Sequence, residues 1–293
     1  MPELPEVEVC RRQLAAWSEG RAVAGVRLPD PGAVRRVASS RPSDALPGAD
    51  AVLAGFVGRR CTGVDRHGKR ALWRFGDRAL LLHLGMTGKW VRRRADEVPR
   101  HGRVGVVLDD GSTLWLVDPR RFGCVVPGSL AELSAALGAG HGPDALDAPL
   151  DGPGLAARCA SGRPIKVLLM EQGRVAGLGN IQAAEALWRA GIAPQLPASA
   201  LDAAAWARLA EAIPVQLEAT LADTLGDEVV YVSEGGDNPF AVYGREGEPC
   251  PRCGAAIRKT VLGGRATFDC PVCQPDAVTP AEVSVKPAGF RAS

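Results

Sequence analysis

The sequence predicts an α+β multidomain protein: an N-terminal helix with a two-layer β-sandwich, then a helical domain, then a small cysteine-bearing β-hairpin. Three observations carry this reading. Short apolar runs broken by glycine and proline fill residues 20–126 and read as strands. Alanine-rich amphipathic segments replace them beyond residue 154 and read as helices. Two C-x2-C pairs, Cys250/Cys253 and Cys270/Cys273, lie sixteen residues apart. Four thiolates at that spacing form the closed ligand set of one structural Zn2+ ion.

Each element has its own signal. Residues 4–17 predict a helix, because Val7, Cys10, Leu14 and Trp17 recur at intervals of three and four, with Glu6 and Glu8 in the first turn. Residues 71–75, 79–84, 104–108 and 113–117 predict strands, and Asp109-Asp110-Gly111-Ser112 between the last two suits a hairpin turn. A Gly/Pro/Asp-rich stretch, residues 138–154, reads as a linker closing the first domain at residue 137. Helices are expected over residues 155–159, 164–172, 180–190 and 201–225, the last kinked or divided at Pro214. The helical domain is expected to end at residue 240. The finger follows over residues 241–275, as a two-stranded ribbon with Gly263-Gly264 at its tip, and a disordered tail over 276–293.

Composition narrows the function classes. Of 293 residues, 46% are hydrophobic and 23% charged, and no run of 18 apolar residues offers a membrane span. The acidic N-terminus is unlike a secretion leader, so a cytoplasmic protein is expected. Net charge is only +2, but residues 59–103 hold thirteen Lys/Arg against four Asp/Glu, a stripe suited to a polyanion or to a solvated face. Lysine occurs only five times, which makes each one a mild candidate for chemistry needing a titratable amine. Cys10, Cys61, Cys124 and Cys159 stand alone in apolar surroundings and read as core residues.

Three further motifs each admit two readings. Methionine before proline is normally trimmed, which would leave Pro2 with a free secondary amine beside Glu3. Such an amine titrates near roughly 8 and forms a cationic iminium with an aldehyde-like carbon; alternatively Pro2 and Pro5 simply start a helix. Residues 173–180, Gly-Arg-Val-Ala-Gly-Leu-Gly-Asn, read either as a helix–helix turn or as an anion cradle at a helix start. In His83-Leu84-Gly85-Met86-Thr87-Gly88 and Asp118-Pro119-Arg120-Arg121-Phe122-Gly123 one large apolar side chain sits among turn residues. Met86 and Phe122 either tuck into the core or serve as wedges between bases.

In order along the chain, these pieces resemble the formamidopyrimidine-DNA glycosylase family and its endonuclease VIII relatives, which are bifunctional base-excision repair enzymes. The matching segments are residues 1–8, Gly68-Lys69, residues 83–88, 118–123 and 176–181, Val242-Tyr243-Gly244-Arg245, and the finger with Arg265-Ala266-Thr267-Phe268. The resemblance implies a helix–two-turn–helix in the helical domain and a monomer acting in the cytoplasm, on the nucleoid. Its partner would be double-stranded DNA with damaged bases or abasic sites.

It further implies catalysis by Pro2 as nucleophile and Glu3 as acid/base, with Lys69 and Arg265. DNA contacts would come from His83, Met86, His101, Arg120, Phe122, Lys166, Gly179 and Asn180. Leu4 and residues 118–123 look like the formamidopyrimidine branch, which favours oxidised purines. Residues 225–236 depart from the Gly-Gly-Thr-Thr-like segment of those enzymes, which leaves an oxidised-pyrimidine preference as the alternative. A non-catalytic binder of damaged DNA on the same scaffold is the other.

Overall fold

The computed structural model describes residues 2–38, 41–94, 96–148, 150–224 and 238–276. The departing segment 225–236 and the tail beyond residue 276 lie outside them. The chain divides into two compact units, residues 1–144 with 218–237, and residues 145–217 with 238–293.

In the first unit, helix α1 (Leu4–Ser18) begins where Glu3 caps it, and Glu6 accepts the Glu3 N–H at 2.8 Å, the reciprocal bond of a capping box. Leu4, Val7, Cys10 and Leu14 are its buried stripe. Among the described residues eight strands follow: β1 (Val23–Arg27), β2 (Gly63–His67), β3 (Arg70–Phe75), β4 (Arg78–His83), β5 (Lys89–Arg94), β6 (Gly102–Leu108), β7 (Ser112–Val117) and β8 (Cys124–Ser129). They form two antiparallel four-stranded sheets, ordered β1-β6-β7-β5 and β2-β3-β4-β8. The expected hairpin joins β6 to β7, with Gly111 at φ +77° in the turn and Asp110 accepting the Ser112 N–H.

The core between the sheets includes α1 and is built around large aromatics. Trp73 and Trp90 meet edge-to-face at 5.3 Å, an arrangement that contributes about 0.5–1.5 kcal/mol beyond area burial. Trp73 meets its polar need by donating to Ser18 Oγ at 3.0 Å. The isolated cysteines are buried as expected.

Two helices here escaped sequence reading: the short α2 (Ala49–Ala54) and α3 (Leu130–Leu137). Helix α3 explains why β4 is apolar along most of its length rather than alternating. Leu80 and Leu82 face the inter-sheet core, while Ala79 and Leu81 pack with Leu133 of α3 on the opposite face. Residues 138–144, expected as linker, are part of this unit.

The second unit contains α4 (Gly152–Cys159), α5 (Ile165–Leu169), α6 (Asn180–Ala190) and most of α7 (Ala203–Thr224). Helix α6 has the expected ends, whereas α5 is shorter than the expected 164–172. Helix α7 runs through Pro214 as one element. The hairpin of β9 (Arg258–Leu262) and β10 (Arg265–Asp269) turns at Gly263-Gly264, both in left-handed backbone. No helix among the described residues is long and apolar enough to cross a membrane.

Candidate functional site

The head of α1 is out of solvent: Pro2 is buried and Glu3 is 1% exposed. Glu6 lies beside Glu3, and burial followed by the Glu3 charge pushes its carboxyl above the ordinary range. Two residues further along, Glu8 binds Arg11, Arg12 and Arg66. Burial works against its charge, but the three guanidiniums outweigh it and hold the carboxyl at about 2.

Lys69 is half-buried in the turn between β2 and β3, after Gly68 at φ +55°. His83, at the end of β4, accepts the Gly85 N–H on Nδ1 at 3.1 Å. Burial, with Arg70, Lys69 and Arg35 near it, presses the imidazole down to about 4, so it is neutral at physiological pH. Lys69 and His83 therefore share one neighbourhood of this unit.

The two loops predicted as wedges interlock. Asp118, wholly buried, accepts Thr87 Oγ1–H at 2.6 Å, the Arg120 N–H at 3.1 Å and the Gly123 N–H at 2.6 Å. Gly85 packs against the Phe122–Gly123 backbone so tightly that a Cβ would lie 2.5 Å from it. Buried Arg35 caps the carbonyls of Arg121 and Phe122. Arg121 holds φ +61° while forking onto Asp30, and His101 holds φ +63°, both uncommon for non-glycine residues. On this base Met86 and Phe122 are half-buried, and Arg120 is exposed with its guanidinium 5.2 Å from the Phe122 ring centre. Neither apolar side chain is fully absorbed into the core.

In the second unit Gly179 is the N-cap of α6 and Asn180 its first residue. Lys166 is fully buried, and its Nζ donates to Asn180 Oδ1 at 2.6 Å, Thr267 Oγ1 at 2.8 Å and Ala266 O at 3.3 Å. The ammonium of Lys166, expected as a DNA contact, thus braces Asn180 and the β10 backbone. Asn180 Nδ2 also donates to Ala266 O at 3.0 Å. Arg265, at the start of β10, is exposed. Glu185 accepts three successive N–H groups, of Ala241, Val242 and Tyr243, and so ties α6 to the chain entering the finger.

The four cysteine sulfurs lie within 4.8 Å of one another, with Cys253–Cys270 at 3.4 Å and Cys250–Cys273 at 4.0 Å. A tetrahedral zinc with bonds of about 2.3 Å needs S···S edges of about 3.8 Å. The donor set fits one zinc ion, held closed without an open position.

Family models divide the chain in the same order. The formamidopyrimidine-DNA glycosylase N-terminal domain matches residues 1–125, the H2TH domain of the same enzyme 141–228, and the zinc finger found in FPG and IleRS 247–275. The formamidopyrimidine-DNA glycosylase of Geotalea uraniireducens (strain Rf4) is 41% identical over 281 residues, covering 94% of this chain and 100% of that protein. The chain belongs to the formamidopyrimidine-DNA glycosylase family. The Nocardia farcinica (strain IFM 10152) protein of that name is 39% identical over 94% of this chain and 98% of its own length. Among solved structures, Lactococcus lactis Fpg in complex with abasic-site DNA gives a TM-score of 0.80 at 29% identity, covering 94% and 100% of the two chains. Fpg from Thermus thermophilus gives 0.75 at 35%, with the same coverage.

Within the family framework, the first unit gathers Pro2, Glu3, Lys69, His83, Met86, His101, Arg120 and Phe122. The second gathers Lys166, Gly179, Asn180, Arg265 and the four cysteines. Sequence reading missed Arg66, Thr87, Asp144 and Glu185. The only signal available for them was polarity inside otherwise apolar or turn-rich stretches.

Proposed function

We propose that the chain is a base-excision repair DNA glycosylase with AP lyase activity, acting as a monomer in the cytoplasm on the nucleoid. Its substrate is duplex DNA carrying oxidised bases, chiefly oxidised purines such as 8-oxoguanine and formamidopyrimidines, or abasic sites. One observation carries this reading: a buried Pro2-Glu3 pair heads a helix in the unit that also carries two interlocked loops armed with Met86, Arg120 and Phe122.

The chemistry follows from these groups. Intercalating Met86 and Phe122 offsets the few kcal/mol of unstacking that flipping a nucleotide costs, while Arg120 faces the orphaned base. The Pro2 nitrogen lone pair forms a bond to C1′ as the N-glycosidic bond breaks and the base leaves with its electron pair. The Pro2 nitrogen, once bonded to C1′, gives up its N–H proton to the departing base. Glu3 delivers a proton to the sugar ring oxygen as the C1′–O bond breaks, and the opened sugar remains linked to Pro2 as an iminium. That cation acidifies C2′; loss of a proton there expels the 3′ phosphate, and a second elimination expels the 5′ phosphate. Lys69 and Arg265 supply positive charge to the phosphates that depart, and Gly179 and Asn180 hold the backbone at the start of α6. Zinc holds the finger in shape and takes no part in the bond changes.

The test is a panel of duplexes carrying single oxidised bases opposite each normal base. Release of oxidised purines with strand scission at both sides of the sugar supports the reading. Tight binding of damaged duplex without any base release would favour a non-catalytic binder. A clear preference for oxidised pyrimidines would move the chain to the endonuclease VIII-like alternative.

A further inference from the structure

Residues 138–144, with the end of α3 before them, form a strap across the β2–β3 turn that carries Lys69. Asp144 is 4% exposed, and its Oδ2 accepts Arg66 Nη1 and the Gly68 N–H at 2.6 Å, while Oδ1 accepts Arg66 Nη2 at 3.0 Å. Arg66 in turn donates from Nη1 to the Gly68 carbonyl at 3.3 Å, so both backbone polar groups of Gly68 are fastened. On either side of this pair, His67 Nε2 lies 3.0 Å from Gly142 O, and Arg70 donates to Ala136 O at 3.2 Å. The remaining edge of Arg66 reaches α1, donating from Nε to Glu8 Oε2 at 3.0 Å. A single buried guanidinium thus links the helix headed by Pro2 and Glu3 to the turn that presents Lys69.

We infer that Asp144 is a positioning residue for Lys69, and that the buried series Glu8–Arg66–Asp144 fixes the Lys69 turn relative to the head of α1. The inference rests on the reading of Pro2 and Lys69 as reacting groups. Lysine is a long flexible side chain, so the range of its ammonium depends on where the turn holds its Cα. Gly68 sits in left-handed backbone, and the two bonds to it select that conformation from those glycine readily visits. Without the carboxylate, Gly68 N–H has lost its acceptor and Arg66 keeps only one acid, so the turn relaxes while the sheets around it stay paired.

The experiment is a mutant cycle on the full-length zinc-loaded protein, with single-turnover cleavage of abasic duplex as the readout. Asp144→Asn is expected to slow cleavage about 10- to 100-fold, the loss that a displacement of roughly 1 Å produces. Affinity for duplex carrying an uncleavable tetrahydrofuran site should stay within about threefold, because the substitution keeps the size of a buried side chain and acts on the chemical step through the turn. In a Lys69→Ala background the same substitution should cost less than about twofold, since its effect runs through the missing amine.

A merely structural Asp144 would lower both backgrounds by the same factor, and that result overturns the inference while leaving Lys69 in its role. Full activity of Lys69→Ala would overturn the Lys69 reading itself, and the inference with it. Should Asp144→Asn fail to fold, Arg66→Lys serves instead. It keeps a buried cation between Glu8 and Asp144 but removes the fork holding Gly68 O, and the same non-additivity with Lys69→Ala is expected.

Discussion

Thr87→Val isolates the joint between the two wedge loops. The hydroxyl of Thr87 donates to Asp118 Oδ1 at 2.6 Å, and that wholly buried carboxylate takes two further N–H bonds, from Arg120 and Gly123. Valine has nearly the same volume, so the change removes one charge-assisted hydrogen bond without opening a cavity. A bond of this kind contributes about 1.5–3 kcal/mol. Two N–H donors still stabilise the carboxylate, so the loss should fall near 2 kcal/mol. Urea unfolding of the first unit, followed through Trp73, Trp90 and Trp115, reads this as a midpoint lowered by about 1 M for a slope near 2 kcal/mol/M. Asp118→Asn should cost about 3 kcal/mol or more, because an amide NH2 would replace one of the acceptors needed by Thr87, Arg120 and Gly123. Once Asp118→Asn has broken the joint, adding Thr87→Val should cost less than about 0.5 kcal/mol. Base release from damaged duplex should slow with Thr87→Val while cleavage of preformed abasic sites slows less, since the wedge acts chiefly in flipping a paired base. Unchanged stability of Thr87→Val, or full additivity with Asp118→Asn, would refute the claim that Asp118 locks the loops together.

Three further outcomes follow from the same structure. Stripping zinc with a thiol-directed mercurial and chelator should release one ion per chain and abolish binding to abasic duplex, because thiolate–zinc bonds contribute on the order of 10 kcal/mol to a finger of this kind. Full binding by verified zinc-free protein would exclude the structural role. Stability should fall with acid in two windows. His83, held down to about 4 from an ordinary 6.5, stabilises fully above 6.5 and loses that contribution as pH falls towards 4. Glu8, held at about 2 from 4.5, loses its contribution between 4.5 and 2. His83→Gln should therefore flatten urea midpoints in the upper window alone, and an unchanged slope there would contradict a neutral buried imidazole. Finally, Glu3→Gln should lose at least about 100-fold in base release, the usual scale of a general acid, while binding abasic duplex normally. Undiminished base release would remove Glu3 from the proton transfer.

Much of the fold was legible because its signals are local. The Asp110-Gly111 hairpin turn, the stripe of α1, the ends of α6 and the glycine tip of the finger each follow from a few adjacent residues. The zinc ligands were equally plain, since two knuckles and a spacing define them. What escaped depends on partners distant in sequence. Asp144 meets Arg66 across 78 positions and Asp118 meets Thr87 across 31, and no local pattern marks either pair. The strap over residues 138–144 looked like linker because its glycines and aspartate are typical of one. Lys166 shows the reverse: its place in the motif was legible, but its burial against Asn180, Ala266 and Thr267 follows only from the packing of α5, α6 and β10.

The central claim is that the Pro2 nitrogen bonds to the sugar. Borohydride trapping on duplex DNA with a single abasic site, followed by mass mapping of the adduct, tests it most directly. The account predicts one reduced cross-link on an N-terminal peptide that begins at Pro2, lost in Pro2→Gly and retained in Lys69→Ala. A cross-link mapped to a lysine peptide, or none from protein whose N-terminus is verified as Pro2, would contradict it.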